Sequence, residues 1–134
     1  MLSQKYLFIV ASILATSPVL AKPVYLKCSY TNGDGREIKF QSKVDEETNA
    51  VTHTNSNGHS FNAKGFFTAD SITYQDVTLI AGLRMTNQYS ISRVNLSMNF
   101  SMVAESVEFP DKIEPVTASE TGKCELVEVA NRAF

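Results

Sequence analysis

The segment from Gln88 to Met102 sets the tightest limit on what this chain can fold into. Tyr89 and Ile91, then Leu96, Met98, Phe100 and Met102, place an apolar side chain at alternate positions. That is the period of a strand with one face in a core and the other in water. The phase shifts at Val94-Asn95, as it does at a tight turn or a bulge between paired strands. The fold is therefore expected to grow outward from a hairpin as a small antiparallel β domain.

The flanking sequence carries the same signature. Val24 to Thr31 alternates with Leu26, Cys28 and Tyr30 on its apolar side, and Asn32-Gly33-Asp34-Gly35 supplies residues that accept positive φ. Ile38, Phe40 and Val44 form a second apolar face. Asp45 to Asn49 reads as a polar turn, Ala50 to Thr54 as a short β-branched run, and Asn55 to Gly58 as the next turn. Gly65, among Phe61, Phe66 and Phe67, predicts a bulge or bend where a sheet curls. Ile72 and Tyr74 alternate in a strand expected to end at Gln75. Leu79 to Thr86, interrupted by Gly82, is read as strand from its neighbours. Ala104 to Lys123 holds Pro110, Pro115 and Gly122, so it is expected to be mostly edge or loop. Cys124 to Val129 closes the chain, with Asn131 to Phe134 fraying. Short strands with turn signals at this spacing predict an all-β domain of about seven to nine strands, either a small antiparallel barrel or a meander sandwich.

The first 21 residues predict an export signal. Lys5 provides the positive region, Tyr6 to Leu14 the apolar stretch, and Val19-Leu20-Ala21 the small-residue cleavage site. Residues 22–134 would then form a single domain, exported to the periplasm or secreted, with no membrane insertion after cleavage. Its two cysteines, Cys28 and Cys124, are most simply a disulfide in an oxidising compartment. With Lys5 removed from the 12 basic residues, 14 acidic ones leave a formal charge of −3. That weakly acidic balance, without a basic cluster, argues against nucleic acid as a partner.

Few residues suggest chemistry. His53 and His59 flank the Asn57-Gly58 turn, but two histidines without a third ligand make an incomplete metal site, and solvated loop positions are expected for both. No metal, cofactor or catalytic residue is assigned, since no nucleophile, phosphate-loop or dinucleotide pattern occurs. Glu46-Glu47 is read as a solvated turn pair. Arg93 follows the phase of Tyr89 and Ile91 and is expected to point inward. A plug pairing Arg93 with Asp76 or backbone carbonyls is the favoured expectation, and an anionic ligand held by Arg93 and Asp76 in a barrel mouth is the functional one. Glu105, Glu108, Asp111 and Glu114 make the late loop acidic and a candidate partner-binding surface.

The opening Leu26-Lys27-Cys28, the segment Tyr89 to Val94 with a strand after it, and the closing Gly122-Lys123-Cys124 resemble a loose group of small exported bacterial β proteins, mostly of unassigned function. In that group a Thr-Gly pair stands where this chain has Asn95-Leu96. Leu26-Lys27-Cys28 and Cys124 also resemble the periplasmic inhibitors of C-type lysozyme, small barrels whose tryptophan-containing strand has no counterpart here, since the chain contains no Trp. These resemblances imply a disulfide-closed barrel or meander. The expected function is a monomeric, non-enzymatic binding module for a protein or small molecule. The alternatives are a periplasmic inhibitor of a hydrolase such as lysozyme, and an unrecognised enzyme.

Overall fold

Most of the strands form where the apolar period is two. The computed structural model describes residues 22–127, so the expected signal segment 1–21, Val129 and 131–134 lie outside the described residues. Within that span are nine strands and no helix: β1 (Val24–Thr31), β2 (Glu37–Asp45), β3 (Ala50–Asn55), β4 (Ser60–Lys64), β5 (Phe66–Phe67), β6 (Ser71–Ile80), β7 (Leu83–Ser92), β8 (Ser97–Ser106) and β9 (Val116–Leu126). All sequence neighbours except β4 and β5 pair antiparallel, and β9 returns to β1, giving the order β4-β3-β2-β1-β9-β8-β7-β6-β5.

One strand path joins the two ends of that order. β4 pairs with β3 and β5 with β6, and only Gly65 separates β4 from β5. A Cβ on Gly65 would stand 2.7 Å from the Phe67 ring and 2.9 Å from a Val51 methyl. Glycine lets the chain bend there and change partners, which nearly closes the meander into a barrel. The expected kink lies at the residue that predicted it.

The opposite seam is closed by chemistry. Cys28 faces Cys124 across β1 and β9, and the two form a disulfide with a sequence separation of 96. Two residues along, Gly122 faces Tyr30, and a Cβ on it would collide with the Ser29 carbonyl oxygen. The Gly-x-Cys spacing thus has a steric reason: β9 passes too close to β1 for any side chain at that point.

Alternate residues of each strand fill the interior. Ile72, Ile91 and Met98 form one row across β6, β7 and β8, and Leu26, Val44 and Val51 close it from the other side. Full burial of each such side chain contributes roughly 1.5–3 kcal/mol. The core ends part-way along the barrel. At one end, called here the Arg93 end, the turns 46–49 and 93–96 and the 65–70 connection lie above this packed row. At the other, the loop end, β6, β7 and β8 run on past it.

Three expectations need correction. β6 does not end at Gln75 but continues to Ile80, because Asp76 to Ile80 stay paired with Leu83 to Asn87. Leu79 to Thr86 is accordingly a hairpin tip rather than one strand. Ala81 and Gly82 hold φ of 50° and 78°, the left-handed pair of a two-residue turn that matches strand twist. The late loop spans 107–115 only, since β8 extends through Glu105 to Ser106 and β9 begins at Val116. The hairpin turn expected at Val94-Asn95 is present despite the lack of Thr-Gly. Leu96 takes φ of 61° there, the Ser92 hydroxyl accepts from the Val94 and Asn95 N–H groups, and the Leu96 N–H donates to the Ser92 carbonyl.

Candidate functional site

His53 is the largest departure from expectation. It is not solvated: it lies on β3 with Val51 on the inward face and is 1% exposed. Its ring stacks between Phe40, at 4.4 Å, and Phe61, at 4.7 Å. Nε2 lies 3.1 Å from Asn55 Oδ1, and Nδ1 lies 2.7 Å from the Tyr74 hydroxyl, which lies 2.6 Å from the Ser42 hydroxyl. Proton directions follow from the end of this chain. A carbonyl oxygen only accepts, so Nε2 carries the ring proton and Nδ1 presents its lone pair. Tyr74 O–H therefore donates to Nδ1, and Ser42 O–H donates to Tyr74. Every group is satisfied in one direction.

Burial sets the charge states. Desolvation lowers the His53 pKa to about 4, against smaller raising effects from the Asn55 hydrogen bond and the Asp76 charge. Burial raises the Tyr74 hydroxyl well above its ordinary value, with the Ser42 hydrogen bond opposing. Burial likewise raises Tyr89, helped by Tyr30 and Asp76. At neutral pH the network is uncharged. Ser42, Tyr74 and His53 are the residue types of a relay, yet each is only 1% exposed, so no substrate carbonyl can approach Ser42. This network specifies a core. The signal that would have placed it is parity: His53 is two residues from Val51 in a β-branched run.

Arg93 and Asp76, expected together, are apart. Arg93 stands in the turn after β7, and its side chain bends back over the Arg93 end. Its Nη2 lies 2.7 Å from Glu46 Oε2, its Nη1 3.2 Å from Glu46 Oε1, and Nη1 also donates to the Thr68 carbonyl at 2.7 Å. Glu46 stays exposed in its turn, as expected, but pairs with Arg93 as well, and its hydrogen bonds raise the Arg93 pKa further. This clasp borders a 200 Å³ cavity whose floor includes Leu26, Val44, Ile72, Ile91 and Leu96. Asp76 is half-buried on the inward face of β6, opposite Asn87, towards the loop end. Leaving the strand at Ser92 frees Arg93 from the inward phase. The inward plug is therefore not formed: Arg93 lies exposed on the turn, tied to Glu46 and the Thr68 carbonyl rather than to Asp76.

The loop end is built differently. Leu79 is 67% exposed, Ile80 56%, Phe109 50% and Ile113 48%. Nine of the fifteen large apolar side chains exposed in the described residues lie at this end, which is far from an even scatter. The loop is held in place: the Val107 N–H donates to the Gly82 carbonyl, and the Phe109 N–H to the Ser106 hydroxyl. Lys112 stands 5.9 Å over the Phe109 ring. Of the four expected acidic residues, Glu105 belongs to β8 and lies 4.0 Å from Arg84. Glu108, Asp111 and Glu114 are exposed in the same 107–115 loop as Phe109 and Ile113.

Among the described residues no three His, Cys, Asp or Glu side chains converge as a metal set, and His59 lies exposed beside the β3–β4 turn. No helix of the described residues is long and apolar enough to cross a membrane. The disulfide fits an oxidising environment. Comparison with family models, with curated proteins and with solved structures returns no match for this chain.

Proposed function

We propose that this is an exported binding module, not an enzyme, which docks a partner protein through its loop end. One observation carries the reading: exposed Leu79, Ile80 and Leu83 at the hairpin tip, tied by the Val107–Gly82 hydrogen bond to a loop that exposes Phe109 and Ile113 together with Glu108, Asp111 and Glu114. Contiguous exposed apolar surface with a polar rim marks interaction sites, and aromatic anchors supply most of their energy. The loop is acidic, so the partner surface is a basic one around an apolar pocket. A basic enzyme cleft is one such surface, and an inhibitor of a hydrolase is the narrower form of this reading.

The test is site-specific photo-crosslinking of the full chain in its native cells. A photoreactive phenylalanine analogue at position 109 is expected to give one discrete protein adduct, absent when Leu79→Asp is added. The same analogue at Gln88, on the outer face of β7, is expected to give none. Equal adducts at both positions, or none at either, would sink the proposal.

A further inference from the structure

A second surface lies well away from the tip. An open groove of 670 Å³ crosses the outer face of β9, β1, β2 and β3. Two rows of outward side chains line it. Lys123, Ser29 and Lys39 face one another across β9, β1 and β2, and Glu125, Lys27, Gln41 and Thr54 form the adjacent row across β9 to β3. Neighbouring strands lie about 4.8 Å apart and alternate residues about 6.8 Å apart, so the three lysines form a triangle with backbone edges of roughly 8–10 Å. Lys39 lies 4.0 Å from Glu37, and among the described residues neither Lys27 nor Lys123 has a carboxylate within 4.0 Å. Three amines and two carboxylates, Glu37 and Glu125, share this face, a net of +1 in a chain of net charge −2.

We infer that this groove binds an acidic glycan, an extended oligosaccharide in which carboxylates are spaced among hydroxyl groups. The lysines meet the sugar carboxylates as charge-assisted donors. Glu37 and Glu125 stand in the same groove and accept hydrogen bonds from hydroxyl groups, while Gln41, Thr54 and Ser29 both donate and accept. The two glutamates decide between polyanions: a phosphodiester strand offers them few hydroxyl donors, whereas each uronate residue sets hydroxyl groups beside its carboxylate. No aromatic ring faces the groove from these rows, since Phe40 points inward. Stacking therefore adds nothing, and affinity rests on charge and falls with salt.

The experiment is titration of the amide-labelled full chain, followed by NMR, with four probes: a hexameric oligogalacturonate, a sulfated heparin hexasaccharide, a neutral maltohexaose and a single-stranded hexanucleotide. The uronate is expected to bind, shifting the amides of Lys27, Gln41 and Lys123, and to weaken as salt rises. Lys27→Gln with Lys123→Gln is expected to weaken it by about tenfold or more, and Lys64→Gln, outside the groove, to leave it unchanged. Stronger binding of the sulfated hexasaccharide would overturn the carboxylate assignment. Equal binding of maltohexaose would overturn the role of charge. Preference for the oligonucleotide, shifts confined to the 107–115 loop, or no shifts with any probe would overturn the site. Because those lysines are exposed, the variants keep the fold, and the shifts separate this site from the tip.

Discussion

The two ends of the barrel use the same kinds of residue to opposite effect. At the Arg93 end, a turn arginine is folded back and held by Glu46 and a carbonyl, and apolar side chains beneath it sink into the core. At the loop end, Leu79, Ile80 and Phe109 stay in water, and Glu108, Asp111 and Glu114 stand exposed in the adjoining loop. The difference is one of length. β6, β7 and β8 each have ten residues, but only their parts nearest the Arg93 end find partners across the barrel. The excess strand has no core beneath it. Stability is therefore concentrated in the body, and the tip is left in water.

Four experiments break or sharpen that contrast. The largest effect is expected at the seam. Replacing Cys28 and Cys124 by serine removes a 96-residue closure and should cost about 4 kcal/mol in urea unfolding, since the cross-link restricts the unfolded chain.

The next is a pH dependence seated in the body. The folded pKa of His53, about 4, lies below the ordinary 6.5, so the unfolded chain takes up the proton first. This contribution is complete above about pH 6.5 and is lost as pH falls towards 4, a total of about 3 kcal/mol. A stability-against-pH profile should show that slope in the native chain and lose it in His53→Gln.

Tyr74→Phe comes third. It leaves His53 Nδ1 without its donor and Ser42 without its acceptor, and should cost about 2 kcal/mol, read as a lower urea midpoint with an unchanged slope. Smallest is Arg93→Ala. The clasp is bidentate but partly exposed, so its loss should cost under about 1 kcal/mol, and less in high salt. A loss from Arg93→Ala as large as that from Tyr74→Phe would mean that the clasp, not the core, holds this end.

Much of this was legible from periodicity. The hairpin around Val94-Asn95, the inward cysteines, the bend at Gly65 and the all-β class follow from apolar spacing and turn residues. A strand's period says which face a residue occupies, but not how far its partner strand runs. For that reason β6 was expected to stop at Gln75, and the apolar tip went unseen within a stretch read as strand and loop. His53 was misplaced because a polar residue next to an Asn-Gly turn carries loop signals, while the partners that make its burial tolerable, Asn55 as acceptor and Tyr74 as donor, come from position rather than pattern. Arg93 shows the reverse case: strand phase pointed it inward, and the turn that begins one residue earlier released it.

The most direct test of the contrast between body and tip is native-state hydrogen exchange on the full chain. Amides of Leu83 to Thr86 and Val103 to Ser106 are expected to exchange through local openings at least about 2 kcal/mol below global unfolding, whereas Cys28, Phe40, Ile91 and Met98 exchange only with global unfolding. Equal protection in the two sets would contradict the account, because the tip would then belong to the same cooperative core as the barrel body.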